Sequence, residues 1–353
     1  MSTIEERVLL SREFYARKNS RVLFGFSAKT EFPLHRYEAA KQLPEGRALT
    51  PDDFPVDGYV EDCERLFQIH EACGGDSIWS ASAFWGIPWM EAMLGCPIYA
   101  NHAGGSLYSE APPSFGGAKD IPVFSKNDPW VMKARELIEA IAKKSAGRYP
   151  IGTTRMRGIS DLLSAVYGGE QFVFKMMDAP EEVHAVCERL TDLWIEFGKM
   201  QLAHIPPFHG GVGSFYYNIW APANTIWHQE DAAALLSPEL FNEFIRPYDE
   251  RMVKAFNGCI MHEHPTGYMP YEAYMKMGMT ALELHIDDGG PSAKKLRPVH
   301  EAILAKMPLI IWGHIGDEDM RTLLELPPQG LAIIQWVNDA DEAQKMRERY
   351  VRV

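Results

Sequence analysis

The second half of the chain alternates short apolar runs with amphipathic segments, and this alternation restricts the fold more than any other feature. Apolar runs at 281–286, 309–313 and 331–337 are each followed by a segment with helical spacing of its apolar residues. Such alternation implies parallel strands, and strands that are apolar on both sides are covered by helices on both faces. The GxGxxG and GxxxxGKS/T motifs of nucleotide-binding folds are absent from the sequence. We therefore predict the α/β class and a (β/α)8 TIM barrel.

The length of the chain fits one barrel domain with an irregular N-terminal part. The chain has 353 residues, of which 46% are hydrophobic, and barrels of this size often form a single domain. We assign residues 1–353 to that domain. Residues 1–58 are an N-terminal excursion with a helix at 3–18, a strand at 21–26 and a proline-rich extended segment at 27–58. Whether the extended segment closes over the barrel mouth as a lid stays open at this stage.

The charge of the chain argues against nucleic acid and membrane partners. Its net charge is -13 and its isoelectric point is about 5.4, and an acidic surface repels phosphate backbones and anionic membranes. No apolar run approaches the roughly 20 residues that span a bilayer. The five cysteines include no CxxC pair, so a disulfide framework is not expected. Since the N-terminus is charged and helical instead of signal-like, we expect a cytoplasmic protein.

Histidines and carboxylates follow two neighbouring predicted strands where each strand ends. His262 and His264 follow the apolar run at 258–261, and Glu283 and His285 lie at the end of the next run. Residues i and i+2 of a strand face the same side, and the carboxyl ends of barrel strands lie on one rim. Imidazole and carboxylate are the usual ligands of a catalytic zinc ion. We predict a divalent-metal site, with zinc as the expected ion, held by His262, His264 and either Glu283 or His285.

These residues also have a structural alternative. One imidazole of the His262/His264 pair could cap a loop while the other packs under Pro265. Asp287 precedes a Gly-Gly turn, where backbone amides can approach a ligand closely, but it could instead accept local hydrogen bonds in a strand-to-helix turn. We predict Asp287 as a substrate-binding residue and His285 as a catalytic residue.

A second polar run, at 227–231, precedes an alanine-rich turn. We predict His228 as a general acid or base, although its role stays open. Glu230 and Asp231 are better explained as capping residues, because carboxylates accept hydrogen bonds from the free amides at the start of a helix.

Arginines and loop aromatics supply candidates for substrate binding. Arg155 and Arg157 lie between a predicted strand and a predicted helix, where two guanidinium groups can hold a carboxylate or a phosphate. They could equally pair with the surplus acids of the chain. Trp85, Tyr217 and Trp220 lack the spacing of helical core residues, and together they favour a pocket for a bulky apolar ligand. Each of them alone is more often a packing residue.

Three segments of the chain resemble the uroporphyrinogen decarboxylase superfamily. They are WAPANTIWHQEDAAALLSPELFNEFIRPYDERM, MHEHPTGYMPYEAYMKMGMTALELHIDDGG and LIIWGHIGDEDM, and EDAAALLSPELFNEFIRPY is the most specific stretch. The resemblance covers most of the chain after residue 60 and implies a (β/α)8 barrel. True uroporphyrinogen decarboxylases carry an arginine-rich RQAGR-type motif near the N-terminus. The matching region here reads FGFSAKTEFPLH, without the arginine pair, which argues against decarboxylation of that porphyrinogen.

The zinc-dependent, cobalamin-linked methyltransferases of this superfamily place His-x-Cys after one barrel strand and another Cys after the last strand. This chain has His262 and His264 at the first position and no Cys at the second. The resemblance therefore implies a metal centre at the same place, but with harder nitrogen and oxygen ligands.

The resemblance also implies the activity and the partners. It predicts an enzyme, a methyltransferase that moves a methyl group between a small substrate and a corrinoid held by a partner protein. One alternative is a metal-free decarboxylase of a carboxylated ring or tetrapyrrole, with histidines as proton donors. The other is a non-catalytic corrinoid or tetrapyrrole binder. A homodimer stays open, because relatives often form dimers.

Overall fold

A computed structural model describes residues 2–30 and 32–351 of the chain. The strands are β1 Leu23–Ala28, β2 Ile98–Asn101, β3 Ser106–Ser109, β4 Gly211–Ser214, β5 Ile219–Pro222, β6 Thr225–Gln229, β7 Gly258–Glu263, β8 Ala281–Ile286, β9 Leu309–Gly313 and β10 Leu331–Val337. The helices are α1 Ile4–Tyr15, α2 Pro33–Arg36, α3 Val56–Cys73, α4 Trp89–Met93, α5 Pro129–Ser145, α6 Ile159–Tyr167, α7 Gln171–Asp178, α8 Pro180–His204, α9 Pro238–Phe244, α10 Arg246–Ala255, α11 Tyr271–Met277, α12 Ala293–Leu304, α13 Asp317–Leu324 and α14 Ala340–Tyr350.

Six of these strands form one parallel sheet in the order β1-β10-β9-β8-β7-β6. The register of β7 on β8 places His262 opposite Glu283, and the register of β8 on β9 places His285 opposite Trp312. Because the strands run in one direction, their carboxyl ends lie along one rim. The α/β class and the parallel strands predicted from the sequence are confirmed.

Two extended segments continue from the edges of this sheet. The amide of Asp76 donates to a carbonyl of β1, and the amide of Gly158 donates to a carbonyl of β6. Between these two contacts, Ala81 pairs with Ile151 in an isolated parallel bridge. Among the described residues the parallel sheet therefore has six strands, and the predicted closed barrel of eight strands is not confirmed. The segments around Ala81 and Ile151 are joined to each other by a single bridge.

The N-terminal excursion packs against the sheet as part of the same core. The strand predicted at 21–26 begins and ends two residues later than expected, and it pairs with β10. In the segment that follows, Leu34, Leu43 and Phe54 are buried. The described part of 27–58 thus belongs to the main hydrophobic core.

Polar side chains fix where several helices begin. Thr3, Asp128, Ser237, Ser292 and Asp339 each accept a hydrogen bond from a free amide in the first turn of α1, α5, α9, α12 and α14. A cap of this kind stabilises a helix by about 1 kcal/mol. These helices cover the sheet, and every residue of β1, β7 and β8 is buried. Within the two described ranges, no helix combines the length and apolarity needed to cross a bilayer.

Candidate active site

A cavity of about 550 Å³ opens at the rim formed by the carboxyl ends of the parallel strands. Most of its lining comes from strand ends and from the loops that follow them. Its polar lining includes Arg36, Arg155, Arg157, Gln229, Asp231, His262, His264, His285 and Asp287, and its aromatic lining includes Trp85, Phe215, Tyr216, Trp312 and Trp336.

His262 and His264 present their imidazoles to each other at the end of β7. Their Nε2 atoms are 3.0 Å apart. Nδ1 of His262 is hydrogen-bonded to the carboxylate of Glu283, and Nδ1 of His264 lies 2.8 Å from Oδ1 of Asp287. A carboxylate only accepts, so in each neutral ring Nδ1 carries the proton and Nε2 presents a lone pair. Two facing lone pairs repel unless a positive charge lies between them.

The pKa values of the histidines show that, in the protein alone, a proton on His264 supplies this positive charge. Burial disfavours a charge on His264, but its hydrogen bond to Asp287 and the nearby carboxylates outweigh burial and raise its pKa to about 9. Burial lowers the pKa of His262 to about 4 and that of His285 to about 3. At neutral pH the protein alone therefore holds one positive charge here, on His264, beside two neutral imidazoles.

Glu283 lies behind His262 and is fully buried. Its Oε2 also accepts a hydrogen bond from the Tyr217 hydroxyl at 3.1 Å, and that hydroxyl accepts one from Nε1 of Trp227 at 3.0 Å. Burial raises the pKa of Glu283 well above its ordinary value. The sequence grouped Glu283 with the metal ligands and Tyr217 with the substrate contacts. In the structure both stand on the outer side of His262 and fix the orientation of its ring.

Asp231 lies on the inner side of the imidazole pair. A carboxylate oxygen of Asp231 and one nitrogen each of His262 and His264 lie within 4.8 Å of one another. Oδ2 of Asp231 is 2.5 Å from Nε2 of Gln229, which donates to it. Sequence reasoning assigned Asp231 to helix capping and missed this position. The available signal was that β6 ends just before Asp231, so Asp231 lies on the same rim as the histidines.

His285 and Asp287 complete the cluster from the end of β8. Nε2 of His285 lies 3.6 Å from Oδ1 of Asp287, and the two residues form, with His264, a second group of possible ligand atoms within 4.8 Å. The His285 ring packs against Trp312, with centroids 4.7 Å apart. The structure thus brings together the residues that the sequence predicted from two separate strand ends.

The two predicted arginines have different environments. Nη1 of Arg157 donates to Glu91 at 2.6 Å, and its Nε lies 3.5 Å from Asp161. The side chains of Glu91 and Asp161 are fully buried. Arg157 therefore follows the alternative in which arginine pairs with acids of the chain. Arg155 makes no ion pair with the described residues and lies with its guanidinium carbon 5.9 Å from the centre of the Trp85 ring.

Of the predicted aromatic contacts, Trp85 lines the cavity and Trp220 does not. Trp220 lies on β5 and packs with Val8, Ile78 and Phe208 in a separate apolar cluster. Its Nε1 donates to the carbonyl of Phe208 at 2.8 Å. This position corrects the predicted placement of Trp220 in the pocket. The reason is that 211–222 folds into a hairpin and directs the indole away from the cavity.

His228 lies in a separate, fully buried cluster. Its Nε2 is 3.0 Å from Oδ1 of Asp249 and 3.7 Å from Oε1 of Glu230. Glu230 accepts hydrogen bonds from the amides of Ile159 and Ser160, so it caps α6, a helix that precedes it in the chain. Burial lowers the pKa of His228. His228 does not line the cavity, so it would not touch a substrate bound there. Its catalytic role stays a prediction.

Comparison with solved structures finds methyltransferases of the same architecture. A methyltransferase from Methanosarcina mazei matches with a TM-score of 0.66, 13% identity and coverage of 100% of both chains. A B12-independent methionine synthase from Shewanella sp. W3-18-1, solved in complex with selenomethionine, matches with a TM-score of 0.52, 12% identity and coverage of 92% of both chains. The chain shares their fold.

The fold shared with these two proteins is consistent with the fold that the resemblance to the uroporphyrinogen decarboxylase superfamily implies. No family model matches the chain, and a search of curated proteins also finds no match. At such low identity the comparison establishes the architecture. The chemistry has to be argued from the side chains.

Proposed function

We propose that this protein is a metal-dependent, methyltransferase-like enzyme that moves a methyl group between a small substrate and a corrinoid held by a partner protein. The observation that carries the proposal is the pair of facing Nε2 atoms, 3.0 Å apart, on the wall of the cavity. Two nitrogens bound to one zinc ion, each at about 2.0–2.1 Å, come roughly 3 Å apart. The spacing therefore suits a shared cation, either the proton that His264 carries at neutral pH or a metal ion that displaces that proton.

The surrounding residues fit a divalent ion. His262, His264 and Asp231 would hold it, with zinc as the expected ion. Glu283 and Asp287 already accept from the opposite nitrogens of the two imidazoles, which is the usual outer arrangement around metal-bound histidine. The protein also stabilises a positive charge on His264, so a cation would take a place where the field favours one.

A divalent ion with nitrogen and oxygen ligands supplies Lewis acidity, which lowers the pKa of a substrate heteroatom and activates it as a methyl acceptor or leaving group. The protein contributes orientation. His285 lines the cavity beside the cluster. Burial lowers its pKa to about 3, so its neutral ring can accept a hydrogen bond from a substrate and orient it. Trp312 and Trp336 pack against His285 and limit the access of water.

The size of the cavity supports binding of the substrate and of the corrinoid by two different proteins. A volume of about 550 Å³ is in the range of pockets for small molecules. We therefore assign the small substrate to this chain and the much larger corrinoid to a carrier protein that docks at the mouth. The carboxylated-ring decarboxylase and the non-catalytic binder remain the competing proposals, and both predict activity or binding that is independent of metal.

The proposal is tested by methyl transfer to free cob(I)alamin. Protein reconstituted with zinc is mixed with cob(I)alamin and a panel of O-, N- and S-methyl compounds, and methylcobalamin formation is followed by absorbance. We expect turnover with at least one donor, and loss of turnover after removal of the metal. A protein that is inactive in this assay but decarboxylates a porphyrinogen without metal would contradict the proposal.

Glu283→Gln should weaken metal binding while leaving the direct ligands in place. Glutamine is a weaker acceptor than carboxylate for the Nδ1–H of His262, and loss of such outer partners costs about tenfold to a hundredfold in metal affinity. The measurement is a competition titration of zinc against a chromogenic chelator.

Glu263→Gln is the matched control. Glu263 lies on β7, the strand that pairs with the strand of Glu283, is buried, and its Oε2 has no hydrogen-bond partner among the described residues, so it orients neither imidazole. Equal zinc affinity for the Glu283 variant and this control would show that Glu283 does not support the metal centre.

A further inference from the structure

We propose that the substrate is a small organic acid with a flat, apolar body, and that Arg36 and Arg155 bind its anionic group. The inference rests on the proposed function, because it assigns the substrate class for the same cavity. We call Arg36 and Arg155 the anion subsite. Arg36 comes from the N-terminal excursion and Arg155 from the extended segment before α6, so residues far apart in sequence form this subsite.

The two guanidinium groups donate to no acceptor in the described part of the chain. Neither one donates a hydrogen bond to, or pairs with, a carboxylate of residues 2–30 or 32–351, and Nε of each is buried without a partner. Arg157, in contrast, is bound to Glu91. A charged donor that is removed from water without an acceptor is costly. An anionic ligand in the cavity would supply the missing acceptors.

The carboxylates that line the cavity are already engaged. Asp231 accepts from Gln229, and Asp287 accepts from His264. Neither of these carboxylates makes a hydrogen bond or an ion pair with Arg36 or Arg155. Arginine, with its planar set of donors, is the residue best suited to hold a carboxylate by two parallel hydrogen bonds.

Tyr216 locates the anion subsite relative to the imidazole pair. Arg36, Arg155 and Tyr216 line the same cavity, and Tyr216 packs against Trp85, the ring beside the Arg155 guanidinium. The Tyr216 ring is 5.5 Å from the ring of His262, between centroids. The subsite and the proposed metal centre thus flank the same aromatic side chain.

A row of rings connects the two sites and suggests the shape of the substrate body. The guanidinium carbon of Arg155 is 5.9 Å from the Trp85 ring, Trp85 is 5.7 Å from Tyr216, and Tyr216 continues to His262. Aromatic walls favour offset or edge-on packing of a flat ligand. A substituted aromatic acid, with its carboxylate on the arginines and its reacting group toward the histidines, matches this arrangement.

The test is a calorimetric titration of the protein with benzoate and with benzyl alcohol as its uncharged counterpart. We expect Arg36→Gln and Arg155→Gln each to weaken benzoate binding by about tenfold to a hundredfold, the loss typical of a hydrogen bond to a charged group. The binding of benzyl alcohol should be the same in all variants. Arg321→Gln, which changes an exposed arginine of α13, is the matched control and should leave both ligands unaffected.

Titrations of metal-loaded and metal-stripped protein separate this inference from the proposed function. Benzoate binding that is lost in the arginine variants, with or without metal, supports the anion subsite even if the metal proposal fails. Two results would overturn the anion subsite and leave the metal proposal standing. One is benzoate binding that is unchanged in both arginine variants. The other is equal binding of benzoate and benzyl alcohol by protein that retains zinc. Unfolding temperatures of the variants close to that of the unmodified protein verify that each variant is folded.

Discussion

Replacement of both His262 and His264 with alanine is expected to lower zinc affinity by more than a hundredfold and to abolish methyl transfer. Loss of an outer partner alone costs roughly tenfold to a hundredfold in affinity, and this double variant removes two direct nitrogen ligands. Of the three proposed ligands, only the Asp231 carboxylate would be left. A single solvent-exposed carboxylate binds a divalent ion too weakly to keep it through purification.

Elemental analysis of protein purified without chelator measures the effect. We expect about one zinc or similar ion per chain in the unmodified protein and a content near zero in the double variant. His184→Ala/His204→Ala is the matched control, because both histidines lie on α8 outside the cavity. If the control loses as much metal as the site variant, or if the site variant keeps its metal, the proposed ligands are wrong.

Arg157→Met is expected to lower the free energy of unfolding by about 3–5 kcal/mol at neutral pH, the cost typical of removing one partner of a buried ion pair. Glu91 and Asp161 would remain fully buried without their cation. Methionine keeps much of the apolar length of the arginine side chain. The loss therefore reports mainly the uncompensated carboxylates.

The loss of unfolding free energy in the Arg157→Met variant should depend on pH. Burial raises the pKa of Asp161 in the folded protein, while Arg157 opposes that rise. Without Arg157, the pKa of Asp161 in the folded state rises further above its value in the unfolded chain. The variant therefore loses stability as pH rises above the unfolded pKa, and its deficit shrinks toward acid pH, where the carboxyl is neutral in both states.

Urea unfolding followed by tryptophan fluorescence at several pH values measures both effects. Arg297→Met is the control, since Arg297 pairs with exposed Glu301 and Glu325 and surface pairs contribute about 0–1 kcal/mol. A deficit for Arg157→Met that is as small as the control, or that grows toward acid pH, would contradict this account of the buried pair.

The fold was predictable where the local pattern and the tertiary structure agree. The apolar runs that became β8, β9 and β10 are buried on both faces, so composition alone predicts central parallel strands. The strand-like segments around Ala81 and Ile151 make single bridges, and their irregular backbone follows from contacts with the β4–β5 hairpin. No periodicity in the sequence indicates those contacts.

The site was predictable where one strand carries several functional groups. His262 and His264 share a face of β7, and the register to β8 brings Glu283 beside them. The sequence could not indicate which atom of Glu283 faces which nitrogen, and so it could not separate a direct ligand from an outer one. Arg36 was missed because it reaches the cavity from a segment over a hundred residues away from Arg155, which only the folded chain brings close.

The central claim is that the facing Nε2 atoms of His262 and His264 share one cation. Anomalous X-ray scattering from crystals of the zinc-loaded protein, recorded on both sides of the zinc absorption edge, tests it most directly. The account predicts one strong peak within bonding distance of both Nε2 atoms and of the Asp231 carboxylate. A peak at the buried His228 cluster instead, or facing imidazoles with no anomalous signal in zinc-saturated crystals, would contradict it.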